Sequence, residues 1–236
     1  MQVLVTRPRG QQQALMDAPR QAGYQPLHSP ALHIEPLPVS DTTRRVLMDL
    51  DLFHAVFFAS SNAARLALAA MADIWPQWPV GVHWLAVGKA TAAEITRWHL
   101  QPTVPDGGFN SEAVLSLLCL QQLTEKKVLL CRGDSGRELL AQTLAERGAE
   151  VVTLPFYRRL PCAAFHCPAQ CNWVMVTSRK AGEPSAKKFH LTSGWWLPGS
   201  EWPLISVRNM PVQCEWRPVP MMKICWPLCL LHKEHE

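Results

Sequence analysis

Short apolar runs alternate with polar turns and amphipathic helices along the first two thirds of the chain. The clearest example begins with Val128–Cys131, an apolar run typical of a buried parallel strand. The polar turn Arg132–Gly136 follows, and Arg137–Arg147 carries the apolar stripe of a helix that packs on a sheet. We predict that Gly148 stops this helix in a left-handed conformation and that Val151–Leu154 forms the next strand.

The same strand, polar turn and helix recur three more times. Repeated units of this kind predict an α/β fold with parallel sheets and right-handed crossovers. Ligands of such sheets bind beyond the carboxyl ends of the strands, so the polar turns are the first candidates for function. The further predicted strands are Gln2–Thr6, Gln25–His28, Ala55–Phe58 and Trp84–Val87, with helices ending at Gln21 (before a stop at Gly23), spanning Ala63–Ala72, and ending near Trp98.

Two proline-bearing joints indicate how the chain divides into domains. Ile34–Pro38 follows the second predicted strand, and Tyr157–Pro161 follows the strand that ends at Leu154. If the chain leaves one domain at the first joint and returns at the second, residues 39–156 form an inserted domain. Residues 1–35 and 162–236 then form a discontinuous first domain. We therefore predict two parallel-sheet α/β domains joined by a two-stranded linker.

The character of the sequence changes near residue 179. Residues 1–178 contain 23 Ala, whereas residues 179–236 contain two Ala and seven Pro. Asn172–Ser178 still has the pattern of a strand and loop, but no helical stripe follows. A reading-frame shift in the gene near codons 178–180 is one explanation, and a divergent, irregular subdomain is the other. With a shifted tail the first domain is incomplete, and Gln2–Thr6, Gln25–His28 and Trp173–Val176 are expected to keep exposed apolar faces and unpaired edges.

Composition narrows the functional class. The net charge is +4 without a block of Lys and Arg, which favours a small anionic ligand over nucleic acid. The eight Cys are irregularly spaced, as expected for free thiols in a reducing cytoplasm. No leader peptide and no membrane-spanning run is recognisable, so we expect no membrane partner and a monomeric protein.

Several motifs are better explained by structure than by chemistry. Gly88-Lys89-Ala90-Thr91 lacks the earlier Gly of a phosphate-binding loop, although a helix start with a cation and a hydroxyl suits a carboxylate. In Arg132-Gly133-Asp134 we predict a positive-φ Gly and a helix-capping Asp or Ser. The spacing of Cys162, His166, Cys167 and Cys171 does not match paired metal knuckles, so no metal is expected.

Two groups of polar side chains remain as candidates for function. One of Ser60, Ser61 and Asn62 is expected to cap the following helix, and these residues are also placed to hold an anion. Tyr157 is one of only two Tyr and lies at a predicted joint, beside Arg158 and Arg159. Its phenol could donate a proton to a leaving hydroxyl, or the residue could be an amphipathic hinge.

Taken in order, these segments resemble the uroporphyrinogen-III synthase family over about 175 residues. No single motif is diagnostic, but their order and spacing are specific. The matching segments are VLVTRP at Val3–Pro8, AGY at Ala22–Tyr24, VFFASSNAA at Val56–Ala64, VGKATA at Val87–Ala92, GFNSEAVL at Gly108–Leu115, VLLCRG at Val128–Gly133, GAEV at Gly148–Val151, LPFYRR at Leu154–Arg159 and VMVTS at Val174–Ser178.

The resemblance implies two α/β domains with the active site between them, and a lyase that cyclises hydroxymethylbilane with loss of water and inversion of the last pyrrole ring. It implies neither metal nor cofactor. Tyr157 matches the tyrosine proposed to assist loss of the hydroxyl. A non-catalytic α/β binding module is the alternative. The predicted substrate-binding residues are Arg7, Ser60, Ser61, Lys89, Thr91, Arg132, Thr177 and Ser178.

Overall fold

The computed structural model describes residues 1–106, 111–136, 138–166, 168, 171 and 173–175, and the backbone of 191–196 and 203–207. It contains two compact units. The first comprises Met1–Thr6, Gln13–Ser29 and the described residues from His166 onward, and the second comprises Arg7–Gln12 and Pro30–Phe165.

Along the chain, β-strands alternate with short helices. The strands are β1 Gln2–Val5, β2 Gln25–His28, β3 Leu32–Pro36, β4 Ala55–Phe58, β5 His83–Ala86, β6 Pro102–Thr103, β7 Lys127–Gly133, β8 Glu150–Pro161, β9 Trp173–Met175, β10 Leu191–Trp196 and β11 Pro203–Val207. The α-helices are α1 Gln13–Gln21, α2 Asp41–Met48, α3 Ser61–Ala72, α4 Lys89–Thr96, α5 Ser111–Leu115 and α6 Leu139–Glu146, and single 3₁₀ turns lie at Leu50–Leu52 and Leu118–Leu120.

The first unit contains a five-stranded sheet in the order β10-β11-β9-β1-β2. β1 is parallel to both β2 and β9, whereas β11 is antiparallel to β9 and β10. Val3, Val5 and Met175 are completely buried, and Leu15 of α1 packs against them. The expectation of exposed faces and unpaired edges is therefore wrong for β1 and β9, because β9 and β11 cover the edges that were expected to be open.

Pro19 lies inside α1 and is buried, and the helix continues two residues beyond it. A proline there removes one backbone hydrogen bond, but it does so in the last turn, where little helix remains to be disrupted. Gly23 then adopts a φ of 79° and ends the segment, as predicted.

The second unit is built on a six-stranded sheet in the order β3-β8-β7-β4-β5-β6. All neighbours are parallel except β3, which is antiparallel to β8. Alternate residues of β4 face opposite layers: Val56 and Phe58 pack in one core cluster, and Ala55 and Phe57 pack in the other. A sheet buried on both faces explains why the strand is an unbroken apolar run. The predicted α/β class with predominantly parallel sheets is confirmed.

β8 is three times as long as the four-residue strand predicted at Val151–Leu154. It pairs with β7 in its first half and with β3 in its second half. The proline joints at Pro36 and Pro161 are thus the ends of a β-ladder. Across this ladder Arg158 donates a hydrogen bond to Glu35, which holds the pKa of that exposed carboxyl below its usual value.

Candidate functional site

A pocket of about 290 Å³ lies in the second unit at the carboxyl ends of its parallel strands. Residues that end or follow β4, β5 and β7 form its wall, and β8 contributes Tyr157 and Arg159. This is the place where parallel α/β sheets bind ligands, because the loops after neighbouring strands converge there.

Ser60 is the residue immediately before α3, and its side chain contacts Tyr157. Its backbone is extended, with φ −170° and ψ 162°, and its Oγ accepts the Ala63 N–H at 3.1 Å. This N-cap confirms that one of Ser60, Ser61 and Asn62 caps the helix. Ser61 is the first helical residue, and the buried Asn62 accepts a hydrogen bond from Gln11.

The Tyr157 side chain is 1% exposed and makes three contacts that hold it in place. Its hydroxyl lies 2.9 Å from Ser60 Oγ and accepts a hydrogen bond from Arg159 Nη2 at 2.6 Å. The Arg159 guanidinium carbon also lies 5.0 Å from the centre of the phenol ring, within the range of a cation–π contact. The phenol is therefore fixed in position at the wall of the pocket.

A β-bulge directs Tyr157 toward the pocket. Pro155 pairs with Arg132 and Tyr157 pairs with Gly133, so Phe156 is one residue in excess over the partner strand. Phe156 and Tyr157 consequently both pack in the same core cluster, whereas consecutive residues of a regular strand face opposite sides of the sheet. Bulges of this kind often redirect a side chain beside an active site.

Gly133 provides the space that the Tyr157 ring occupies. A Cβ at this position would lie 3.0 Å from Tyr157 Cζ and 3.3 Å from its hydroxyl oxygen. The predicted positive φ for Gly133 is wrong, since this residue is the last of β7 and the left-handed glycines are elsewhere. The predicted helix-capping role of Asp134 or Ser135 is also wrong, because α6 begins after Glu138 without a side-chain cap.

Two guanidinium groups give the pocket a positive wall. Arg132 lines it and donates to Glu138 at 2.8 Å, and Arg159 lines it beside Tyr157. Guanidinium groups bind carboxylates through paired, planar donors, so an anionic ligand suits this wall.

The structure brings three of the predicted site residues together: Tyr157 and Arg132 line the pocket, and Ser60 contacts the Tyr157 hydroxyl. Thr91 is buried in the first turn of α4 and Lys89 is exposed, and neither contributes to the described lining.

Ser61 and Arg7 are not among the described residues that line the pocket. Arg7 is partly buried, and desolvation lowers the pKa of its guanidinium. Thr177 and Ser178 lie outside the described residues.

Arg159 and Gly133 were not predicted as site residues. A signal for Arg159 was present in the sequence, because residues i and i+2 of a strand share a face. Arg159 therefore lies on the same face as Tyr157, and Arg158 lies on the opposite face. The role of Gly133 depends on a ring from a neighbouring strand, and nothing local in the sequence encodes that contact.

In the part of the chain that the structure describes, no three His, Cys, Asp or Glu side chains are grouped so as to hold a metal ion. Within the same residues, no helix has the length and apolar character required to cross a membrane.

Comparison with known proteins identifies the family. The family model "Uroporphyrinogen-III synthase HemD" matches residues 13–188. The uroporphyrinogen-III synthase of Proteus mirabilis is 34% identical over 161 residues, covering 68% of this chain and 81% of the relative. That of Salmonella typhimurium is 32% identical over 209 residues, covering 83% of this chain and 82% of the relative.

A solved structure supports the fold independently. The crystal structure of a mutant uroporphyrinogen III synthase from the extremely thermophilic bacterium Thermus thermophilus aligns with a TM-score of 0.52 at 24% identity. The alignment covers 69% of this chain and 64% of the solved one, so the chain spans slightly less than two thirds of that protein. The family model and the two sequence relatives establish that the chain belongs to the uroporphyrinogen-III synthase family.

Proposed function

We propose that this chain cyclises hydroxymethylbilane to uroporphyrinogen III, with inversion of ring D and release of one water, in haem biosynthesis. The names of its relatives support a lyase-type enzyme of porphyrin biosynthesis. The observation that carries the proposal is the Tyr157 phenol, held between Ser60 and Arg159 at the wall of a cationic pocket.

Tyr157 is the proposed proton donor. Its O–H gives a proton to the hydroxyl of the terminal hydroxymethyl group, the C–O bond breaks, and water leaves a cationic methylene carbon. That carbon bonds to the substituted carbon of ring D to form a spiro intermediate. The bond from this ring carbon to its original methylene then breaks, which leaves that methylene cationic on the neighbouring ring, and the methylene bonds to the unsubstituted carbon of ring D beside the nitrogen. Loss of a ring proton restores the pyrrole and returns the proton to the phenol, so the overall change is loss of water.

Arg132 is the proposed carboxylate contact of the pocket. The substrate has eight carboxylates, and a cavity of about 290 Å³ has room for one substituted pyrrole ring. The remaining proposed substrate-binding residues are Arg7, Ser60, Ser61, Lys89, Thr91, Thr177 and Ser178. Fixed donors and a tight pocket suit a substrate that closes spontaneously to the uninverted isomer, because the task is to steer a reactive cation.

The test is to incubate the purified chain with hydroxymethylbilane and separate the type I and type III isomers. In a chain with a restored tail, Tyr157→Phe should slow formation of type III by about tenfold to a few hundredfold, the low end for loss of one proton donor because the substrate is reactive. Tyr24→Phe is the matched control, since it removes the only other phenol and leaves the pocket unchanged.

Two outcomes would contradict the proposal. Unchanged type III formation by Tyr157→Phe would make Tyr157 a hinge residue. Formation of type I alone, at the same rate with and without the protein, would favour a non-catalytic binding module.

We also propose that the sequence after Ser178 results from a reading-frame shift and that this copy is impaired. The loss of Ala and gain of Pro after residue 178 support this. The test is to translate the gene in its other two frames. If neither frame yields an Ala- and Leu-periodic segment, the tail is a divergent subdomain.

We further propose that the protein is located in the cytoplasm. The cysteines described by the structure, Cys119, Cys131, Cys162 and Cys171, are all free thiols. Free thiols are the rule in a reducing compartment.

A further inference from the structure

Arg159 is the closest charged group to the Tyr157 hydroxyl among the described contacts. Its Nη2 donates to the phenol oxygen at 2.6 Å, and its guanidinium lies over the phenol ring at 5.0 Å. Arg159 is partly buried and lines the pocket. A guanidinium has only donors, so this hydrogen bond must use a lone pair of the phenol oxygen.

The donor at Arg159 restricts where the phenol hydrogen can point. The hydrogen cannot be directed at Arg159, which leaves Ser60 Oγ, at 2.9 Å, or a ligand in the pocket. Ser60 Oγ already accepts the Ala63 N–H, so its own hydrogen is free to be donated. When Ser60 donates to the phenol oxygen, the phenol accepts twice and its hydrogen is available to the pocket.

We propose that Arg159 is a positioning residue that orients the Tyr157 hydroxyl as a proton donor toward the leaving hydroxyl of the substrate. Arg159 acts through Tyr157 and sets the rate of the chemical step more than the affinity for substrate. This inference rests on the proposed function, because it assigns a role within that reaction.

A kinetic comparison separates this role from substrate binding. Arg159→Gln should lower kcat by about tenfold or more with KM changed by less than about threefold, since an interaction that matters in the transition state affects kcat. Arg159→Lys should recover part of kcat, because an ammonium can donate to the phenol but lacks the planar fork. Arg158→Gln is the matched control, one residue away on the opposite face and paired with Glu35.

Two kinetic results would overturn the proposal. A raised KM with unchanged kcat in Arg159→Gln would mean that Arg159 binds a substrate carboxylate directly. An equal loss of kcat in Arg158→Gln would mean that any change in β8 disturbs the site.

A spectroscopic test does not depend on turnover. The protein labelled with ¹³C at Cζ of tyrosine should give two resonances, and Tyr24→Phe identifies the one from Tyr157. Arg159→Gln should shift the Tyr157 resonance, whereas Arg158→Gln should leave it in place. A resonance that Arg159→Gln does not move would overturn the inference. A wild-type chain that forms no type III isomer counts against the proposed function alone, and the resonance then decides the role of Arg159.

Discussion

At the scale of single residues, the absence of a side chain at Gly133 is as important as the presence of Tyr157. The glycine is required for space, because its φ is ordinary and the Tyr157 ring occupies the volume that a Cβ would need. Ser60 and Arg159 then hold the hydroxyl of this ring. The position of the phenol thus depends on residues from three separate segments of the chain.

Gly133→Ala should destabilise the protein by about 1–3 kcal/mol, the usual cost of inserting a methyl group into a packed site. The added Cβ would meet the Tyr157 ring at 3.0 Å, and both the strand and the bulge limit how far the ring can move. The free energy of unfolding, measured in urea by tryptophan fluorescence, checks this.

Gly136→Ala is the control for this prediction. Its Cβ would lie 3.5 Å from Arg132 Nη1, an ordinary contact with the end of a flexible side chain. Equal destabilisation by the two substitutions would show that the space beside Tyr157 is not specifically limited.

At the scale of secondary structure, the sequence predicts the bounds of an element best where the residues of that element alone determine its conformation. Ala55–Phe58 and Gln25–His28 have the predicted bounds, and Gly148 ends α6 at a φ of 89°. β8 was predicted too short because Pro155 interrupts its pattern. A proline is compatible with a strand beside a bulge, and the bulge arises from pairing with β7, which the local sequence does not reveal.

Arg147 illustrates how one side chain joins two elements. It lies at the carboxyl end of α6, and its Nη1 donates to the carbonyls of Leu115 and Leu120 at 2.8 and 2.7 Å. These carbonyls lie at the ends of α5 and of the following 3₁₀ turn, where helical partners are absent.

Arg147→Met should therefore cost about 1–3 kcal/mol of unfolding free energy, because the Leu120 carbonyl loses its side-chain donor while the apolar stem is kept. The Leu115 carbonyl retains the hydrogen bond from Gln121 Nε2. Arg97→Met is the matched control. Arg97 also lies at the end of a helix, but its side chain is 71% exposed and bonds only to Glu94, so we expect a change below about 0.5 kcal/mol. Urea unfolding of both variants checks the difference, and similar losses would contradict the proposed joining role.

At the scale of the whole molecule, the division into domains was predicted from two proline joints. The inserted domain was expected at residues 39–156, and the second compact unit of the structure runs over Pro30–Phe165 together with Arg7–Gln12. The difference concerns β3, which the sequence placed with the first domain and which pairs with β8 in the structure. The two joints predicted a two-stranded linker, and the antiparallel pair β3–β8 lies at those positions. The joints did not indicate that both strands continue the sheet of the second unit.

We propose that residues 39–156 fold independently of the tail, since almost all residues of the two core clusters lie within this range and the length is typical of a domain. Limited proteolysis should leave a resistant fragment with ends near Pro38 and Pro161. Ends near Pro30 and Phe165 would show that the β3–β8 ladder belongs to the fragment. Rapid digestion without any resistant fragment would show that the domain division is misplaced.

The alternation of Tyr157, Arg158 and Arg159 along β8 has a consequence for how the gene can vary. Tyr157 and Arg159 share the pocket face, and Arg158 meets Glu35 on the other. Gain or loss of one codon in β8 upstream of Tyr157 would shift these three residues by one position along the strand. Arg158 would then lie on the pocket face, and Tyr157 and Arg159 would lie on the face of Glu35. A substitution in this segment changes one side chain of the site, whereas a single-codon insertion or deletion moves all three side chains to the opposite face. Natural variation in the length of the chain should therefore collect in its loops and be excluded from this strand.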